Sequence, residues 1–154
     1  MSRISSLDAV KIQARAVIPI VKALELELGK IKAHRLVGDA IAGSWATYIV
    51  NRQVRSSGSS DHPRDAGNSN FPVQSIIVKD TENEHAINMT KCEYADYFRR
   101  IEEPEVGALL TCGVDYAVEK RMRPDWTFSR NQTLMQGAEF CDFCWARKSK
   151  GGKA

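Results

Sequence analysis

The sequence predicts an α+β domain in which N-terminal helices precede two β-hairpins. The hairpins are expected to form one antiparallel sheet packed against helices, in a ββααββ-like core. Two observations predict this class: helical spacing of apolar residues over the first third, and two later pairs of β-favouring runs around turn signals. The 154 residues, 43% hydrophobic, suffice for one core. We assign 1–147 to a single domain, 55–70 to a flexible loop and 148–154 to a disordered basic tail.

The first third of the chain predicts three helical segments. Ser5 or Ser6 can cap the first one, and Pro19 should interrupt it because proline lacks the N–H that a helix interior needs. A second apolar segment follows and ends at Gly29, a residue type that commonly ends helices. A third helix is expected from residue 30 to about residue 50.

The first hairpin is predicted from two runs rich in strand-forming residues, 71–79 and 84–90, around a polar turn. Thr90 is the expected cap of a helix that begins at Glu93. Pro104 should open one further helix, because proline is well tolerated in a first helical turn.

The second hairpin is predicted from the runs 128–134 and 141–145, which flank Gly137. Side chains alternate along a strand, so Cys141 and Cys144 should point to opposite faces of the sheet. A zinc site or a redox pair needs converging sulfurs, and this spacing therefore argues against both.

The charge pattern bears on partners. The net charge of +3 comes from four cations within residues 147–153, and the rest of the chain carries −1. A near-neutral body gives no broad surface for nucleic acid. No signal-peptide pattern or membrane-spanning run is visible, so we expect a cytoplasmic protein with reduced cysteines. The expected partner is a small-molecule substrate, with no nucleic acid and no membrane, and a homodimer is left open.

Cys92 is the thiol whose position favours chemistry. It lies where a strand passes into a helix, so free backbone N–H groups and the helix dipole can stabilise a thiolate there. An activated nucleophile needs this placement, but a small buried hydrophobic residue at a helix start is an equal alternative.

Asp115 is an acid within an apolar helical stretch. Cys112 precedes it by three residues, so the two share a helix face. A carboxyl group held against the sheet would have a shifted pKa and could carry protons. The alternative is a structural ion pair with Arg130 or Lys120.

Four segments of the chain together resemble the L-2-amino-thiazoline-4-carboxylic acid hydrolase family. They are Lys-Cys-Glu-Tyr-Ala-Asp-Tyr-Phe (91–98), Cys-Gly-Val-Asp-Tyr-Ala (112–117), Gln-Thr-Leu-Met-Gln-Gly (132–137) and Cys-Asp-Phe (141–143). The run 14–29 is also similar to that family's leading helices, so the resemblance covers nearly the whole chain.

The resemblance implies a hydrolase that opens a small C=N-containing ring: a cyclic amidine, an imine or an amide. Onto this sequence it places Cys92 and Asp115, which we expect to be the nucleophile and the proton carrier. We expect substrate contacts from five further side chains: Gln132, Thr133, Cys141, Cys112 and His85. No metal and no cofactor are expected.

Two other functions compete with this hypothesis. The first is a non-catalytic sensor or carrier of small molecules, because the Gly-x-x-x-Cys ending at Cys141 also resembles four-vinyl-reductase-type ligand-sensing domains. Thr133 stands where the zinc-binding versions of those domains have a cysteine. The second is a hydrolase in which Cys92, Asp115 and Cys141 hold a metal that activates water.

Overall fold

The computed structural model describes residues 4–55, 63 and 72–149. Two long helices come first, α1 (Ser6–Leu28) and α2 (Lys30–Arg55), joined by Gly29 alone. Ser5 caps α1 by accepting the N–H of Asp8 at 3.0 Å. Gly29 adopts a φ of +76°, which favours glycine, so the expected helix end there is confirmed.

Helix α1 runs unbroken through Pro19, and the expected interruption is therefore wrong. Pro19 lies on the exposed side of the helix, while Ala14 and Val21 are fully buried on the other side. The ring removes one N–H, and the carbonyl that loses it belongs to the exposed Arg15, where water can replace the bond.

Four antiparallel strands form one sheet in the order β1-β2-β4-β3, which confirms the predicted α+β class. The strands are β1 (Val73–Asp80), β2 (Glu84–Cys92), β3 (Trp126–Ser129) and β4 (Cys141–Arg147). The expected strand over 128–134 is too long, because β3 ends at Ser129. The chain then makes a 3-10 turn at Leu134–Gln136 and reverses at Gly137, which has a φ of +95°.

The helices between the hairpins are α3 (Glu93–Arg100), α4 (Pro104–Gly107) and α5 (Val114–Met122). Pro104 opens α4 as predicted, but the single expected helix is divided by a π-turn, Ala108–Cys112. Gly113 closes this turn by donating its N–H to the Ala108 carbonyl at 2.7 Å. A π-turn inserts one extra residue into the helical ladder and rotates the side chains that follow.

Two apolar clusters hold the layers together. The helical cluster joins α1, α3, α4 and the 3-10 turn, with Phe98, Val106 and Met135 almost fully buried. The sheet cluster is aromatic and centres on Trp126 and Trp145. Cys92 and Cys112 are partly buried and pack against the helical cluster, so two of the expected site residues lie beside it.

Two expected segments fall mainly outside the described residues. Of the loop expected over 55–70, Arg55 is the last residue of α2 and Pro63 alone is described further on. At the expected tail, the Lys148 N–H donates to the Asp125 carbonyl at 2.8 Å, and residues 150–154 lie outside the description. No described helix has the length and apolar character needed to cross a membrane.

Candidate functional site

A β-bulge at Thr90 directs the Cys92 side chain. Gln74 pairs with Lys91 while Ser75 pairs with Met89, so Thr90 is an extra residue on β2. In a regular strand, Cys92 and Met89 would point to opposite faces. The extra residue reverses this alternation, and Cys92 packs against the helical cluster.

Cys92, rather than the expected Thr90, is the N-cap residue of α3. The nearby N–H groups of Tyr94 and Ala95 favour the thiolate, although neither forms a cap hydrogen bond of standard geometry. Burial has the larger effect and raises the pKa of the Cys92 thiol above its ordinary value. The helix start is as predicted, but the expected activation of the thiol by that helix is outweighed by desolvation.

The π-turn carries the second thiol, Cys112. Thr111 anchors the turn by donating its hydroxyl to the Gly107 carbonyl at 2.8 Å, and its Oγ1 lies 3.6 Å from Cys112 Sγ. Burial raises the pKa of Cys112 to about 11, so this side chain is a neutral thiol at physiological pH.

Asp115 follows the π-turn and forms an ion pair with Arg130, which is one of its two expected structural partners. Arg130 Nη1 donates to Asp115 Oδ2 at 2.6 Å, and Arg130 Nη2 donates to the Cys112 carbonyl at 3.0 Å. Burial raises the pKa of Asp115 to about 6, although the Arg130 charge opposes that rise. The side chain is still 36% exposed, and no described group hydrogen-bonds its second oxygen, Oδ1.

Cys141 is the third thiol of this region and begins β4. Its Sγ accepts the Leu134 N–H at 3.2 Å, and burial raises its pKa. Electrostatic influence links Cys141 with Cys92 and Asp115, and links Cys112 with the same two residues. We call Cys92, Cys112 and Cys141 the thiol cluster; Cys112 and Cys141 interact with the Asp115–Arg130 pair, and Cys92 is linked to the pair through these two thiols.

Gln132 and Thr133 lie on the loop that leads to Cys141. The Thr133 hydroxyl caps the 3-10 turn, accepting the Gln136 N–H and donating to Gln136 Oε1, both at 3.1 Å. It is therefore occupied in holding the loop. The Gln132 backbone N–H donates to Asp142 Oδ1 at 2.8 Å, but its side-chain amide has no hydrogen-bond partner among the described residues. Of the two, Gln132 is the better candidate for a substrate contact.

His85 lies outside the site, contrary to expectation. Seven residues of β2 separate it from Cys92, which corresponds to roughly 20 Å along a strand. His85 is buried, has Nδ1 at 3.1 Å from Asp80 Oδ1 and packs against the Trp145 ring. Alternation placed His85 on the inner face correctly, but distance along the strand removes it from the thiol cluster.

Arg130 was considered from the sequence only as a partner of Asp115, and its full role was missed. Its guanidinium lies 5.1 Å from the centre of the Phe143 ring and 5.5 Å from that of Tyr116. The Tyr116 hydroxyl also donates to the Arg130 carbonyl at 2.9 Å. The available signal was the position of Arg130 on the same strand face as Phe128, since a cation turned toward a core needs an acid as its partner.

The described residues contain no group of three or more His, Cys, Asp or Glu side chains arranged to hold a metal ion. Cys92, Asp115 and Cys141, the set considered for a metal-activated water, thus lack the converging geometry of ligands. A surface cleft of about 290 Å³ between α1 and α2 contains none of the expected site residues. Its described lining offers no ionisable side chain, so the chemistry is better placed at the thiol cluster.

The fold and the cluster define an α+β domain with three clustered thiols and one carboxylate–guanidinium pair. The chain belongs to the L-2-amino-thiazoline-4-carboxylic acid hydrolase family, because the sequence pattern of that family matches residues 9–145, nearly the whole sequence. The resemblance noted from the four segments is thereby confirmed. The family's name describes hydrolases of a small cyclic substrate.

Solved structures with the same fold are distant in sequence. The phenol-responsive sensory domain of the transcription activator PoxR, solved with phenol, aligns with a TM-score of 0.51 and 14% identity, covering 86% of this chain and 73% of that one. A trafficking protein particle complex subunit 3 from Naegleria fowleri, covalently bound to palmitic acid, aligns with a TM-score of 0.50 and 11% identity, covering 90% and 97%. Both similarities establish the fold alone. No match was found among curated proteins.

Proposed function

We propose that this protein is a small-molecule hydrolase that opens a C=N-containing or amide ring, with Cys92 as nucleophile and Asp115 as proton carrier. The observation that carries the proposal is that a bulge-directed thiol and a partly open carboxyl group belong to one cluster, in which Cys112 and Cys141 link them. Family membership supports the reaction class. We place this reaction in the cytoplasm, where thiols stay reduced.

Asp115 has the properties that a proton carrier needs. Its Oδ2 is held by Arg130, which fixes the carboxyl plane, while no described group occupies Oδ1. A pKa of about 6 lies close to neutral pH, where a group can both accept and return a proton. A substrate N–H or ring nitrogen can therefore meet Oδ1.

Cys92 is the preferred nucleophile of the thiol cluster. It alone lies at a helix N-terminus, where the Tyr94 and Ala95 N–H groups favour the anion. Because burial still raises its pKa, the thiol needs a base, and Asp115 supplies one. Burial favours the thiol form of Cys112 and Cys141, and the Gln132 amide, which has no hydrogen-bond partner among the described residues, can hydrogen-bond the substrate.

For a C=N substrate, the reaction begins as Cys92 Sγ bonds to the carbon and Asp115 takes the thiol proton. The C=N electron pair moves to nitrogen, which receives that proton. The bond from this carbon to its other ring heteroatom then breaks, the heteroatom takes the proton from nitrogen, and a thioimidate on Cys92 remains. Water adds hydroxyl to the carbon and hydrogen to the nitrogen. The C–S bond then breaks and Asp115 passes the hydroxyl proton to sulfur, which restores the thiol.

The test uses three ring compounds: L-2-amino-thiazoline-4-carboxylic acid, 2-amino-2-thiazoline, which lacks the carboxylate, and a small cyclic amide. The parent protein should add one water to at least one of them, as followed by mass spectrometry. Cys92→Ser should lose at least ~10²-fold in turnover, while Cys144→Ser, which has a thiol outside the cluster, should keep it. Acid quenching should trap a substrate-sized adduct on the parent and none on Cys92→Ser. Equal turnover of Cys92→Ser and the parent would transfer the attack to a water activated by Asp115.

One observation favours a second candidate, a non-catalytic sensor or carrier. Burial raises the pKa of all three clustered thiols and so disfavours the thiolate that a nucleophile needs. The solved PoxR sensory domain shows that the same fold can hold a small ring compound. Saturable binding of a ring compound by calorimetry, with no product after prolonged incubation, would support this function over the hydrolase.

A further inference from the structure

Arg130 is fixed on every side by the elements it joins. It directly follows β3, and its side chain is only 7% exposed. The planar guanidinium lies near the rings of Phe143 on β4 and Tyr116 on α5. The Tyr116 hydroxyl also holds the main chain at this point, because it donates a hydrogen bond to the Arg130 carbonyl. Such a clamped guanidinium loses little further conformational entropy when it holds an acceptor.

Two acceptors from different turns share this one guanidinium. Nη1 donates to the Asp115 carboxylate at 2.6 Å, and Nη2 donates to the Cys112 carbonyl at 3.0 Å. The carbonyl belongs to the last residue of the π-turn, and the carboxylate lies in the first turn of α5. Arg130 therefore fixes the orientation of Asp115 relative to the irregular turn that precedes it.

The charge of Arg130 also acts on the surrounding acids. It lowers the pKa of Asp115, Cys112 and Cys141, in each case against the larger effect of burial. The charged and titratable groups that face Asp115 are Cys112 on the π-turn, Glu119 on α5, Arg130 after β3 and Cys141 on β4. Arg130 is the cation in this set.

We infer that Arg130 is the positioning residue of the site, which grips the Asp115 carboxylate and the Cys112 carbonyl together and so presents Asp115 Oδ1 for proton transfer. This role rests on the proposed function, in which Asp115 is the proton carrier. Arg130 acts through Asp115 and need not touch the substrate.

Two variants separate the charge of Arg130 from its geometry. Arg130→Met removes both, and Arg130→Lys keeps a positive charge but cannot hold two acceptors with a planar fork. The carboxyl ¹³C signal of Asp115, identified by its absence from Asp115→Asn, is titrated in each protein alongside the pH dependence of turnover. Arg123→Met is the matched control, since Arg123 pairs with Glu119 one helical turn away.

In Arg130→Met the Asp115 pKa should rise by about 1–3 units, and the acid limb of the turnover profile should move with it. In Arg130→Lys the Asp115 pKa should lie close to that of the parent protein, but turnover at the pH optimum should stay below that of the parent. Arg123→Met should leave the Asp115 pKa unchanged. Should Arg130→Met not fold, the turnover of Arg130→Lys decides by itself: a loss supports the positioning role, and full turnover overturns it.

The two proposals fail in different ways. An unchanged Asp115 pKa in Arg130→Met would show that Arg130 does not hold the Asp115 carboxylate, and it would overturn the positioning role whatever the turnover. A shifted pKa with an unmoved acid limb shows that Asp115 carries no proton in the reaction, which overturns both. Full turnover in Arg130→Lys shows that charge alone suffices and overturns the positioning role while the hydrolase stands.

Discussion

Helix α5 bears two carboxylates one turn apart, Asp115 and Glu119, and each pairs with an arginine. Glu119 Oε2 accepts from Arg123 Nη1 at 2.7 Å and from Trp145 Nε1 at 2.9 Å. Asp115 Oδ2 accepts from Arg130 at 2.6 Å. The Glu119 side chain is 13% exposed and that of Asp115 36%. The two pairs are alike in charge, and each carboxylate accepts hydrogen bonds from the described residues through one oxygen only; they differ in exposure and in neighbouring groups.

The difference separates a structural pair from a functional one. Glu119 ties the end of α5 to the indole of β4, so its interactions serve the joint between helix and sheet. Asp115 has an unoccupied oxygen among the described contacts and faces two thiols. A raised pKa beside reactive groups is typical of functional sites, whereas a carboxylate that joins a buried arginine to a buried indole is typical of packing.

The largest effect should come from Asp115→Asn, which keeps the side-chain shape and removes the exchangeable proton. Turnover of the ring substrate should fall by about 10²–10⁴-fold, the usual range for losing a general acid–base group. Steady-state kinetics on the substrate found for the parent measures this. Glu119→Gln, corrected for its folded fraction, serves as the control and should stay within a few-fold of the parent. If Glu119→Gln lost more turnover than Asp115→Asn, the functional assignment would belong to Glu119.

Glu119→Gln should instead lower the free energy of unfolding by about 3 kcal/mol. The substitution leaves Arg123, only 5% exposed, beside a neutral amide, and its Nε already lacks a partner among the described residues. Urea denaturation measures the change. Glu84→Gln is the matched control, because the exposed Lys79–Glu84 pair should contribute less than about 1 kcal/mol. Similar losses in the two variants would mean that the buried pair carries no special stability.

The sequence predicted the fold class and most of the element order because those follow from local periodicity and turn residues. The helix after Cys92, the helix opened by Pro104 and the inner face of β4 all came from such signals. Pro19 misled the helix prediction, because whether a proline breaks a helix depends on solvent access to one carbonyl.

The site was only partly predictable, because two backbone irregularities build it. The bulge at Thr90 and the π-turn before Gly113 reorient Cys92 and Cys112, and neither has a reliable local sequence signal. The expected activation of Cys92 also failed for a non-local reason: desolvation depends on what packs over the thiol. A periodic sequence pattern indicates on which face of a helix or strand a side chain lies, but it does not indicate how deeply that side chain is buried.

A pH effect on stability should test the environment of Asp115. The folded-state pKa of Asp115 is about 6, above the ordinary 3.8, so the folded protein binds this proton more tightly than the unfolded chain. Its contribution to stability is therefore greatest below pH 4 and is lost as the pH rises through 6. Asp115→Asn should gain stability relative to the parent between pH 4 and pH 7.

Unfolding free energies of the parent and Asp115→Asn, measured in urea at about pH 4 and pH 7, test that sign. Asp142 has a lowered pKa, so its contribution to stability is lost in acid. This loss is the same in both proteins and cancels from the difference. A relative loss of stability by Asp115→Asn toward neutral pH would show that the Arg130 charge outweighs burial at this site.

The smallest effect should come from Cys144→Ser, and it tests the border of the thiol cluster. Cys144 pairs in register with Ala86 and Ser129 and points away from the face that carries Cys141. A half-buried thiol on that outer face should tolerate a hydroxyl, so stability should change by less than about 0.5 kcal/mol and turnover by less than about two-fold. Cys141→Ala, three residues away, leaves the partly buried Leu134 N–H without its sulfur acceptor and should cost about 1–3 kcal/mol. Comparable losses in both variants, measured by urea denaturation, would contradict the alternation of β4 and with it the exclusion of Cys144 from the site.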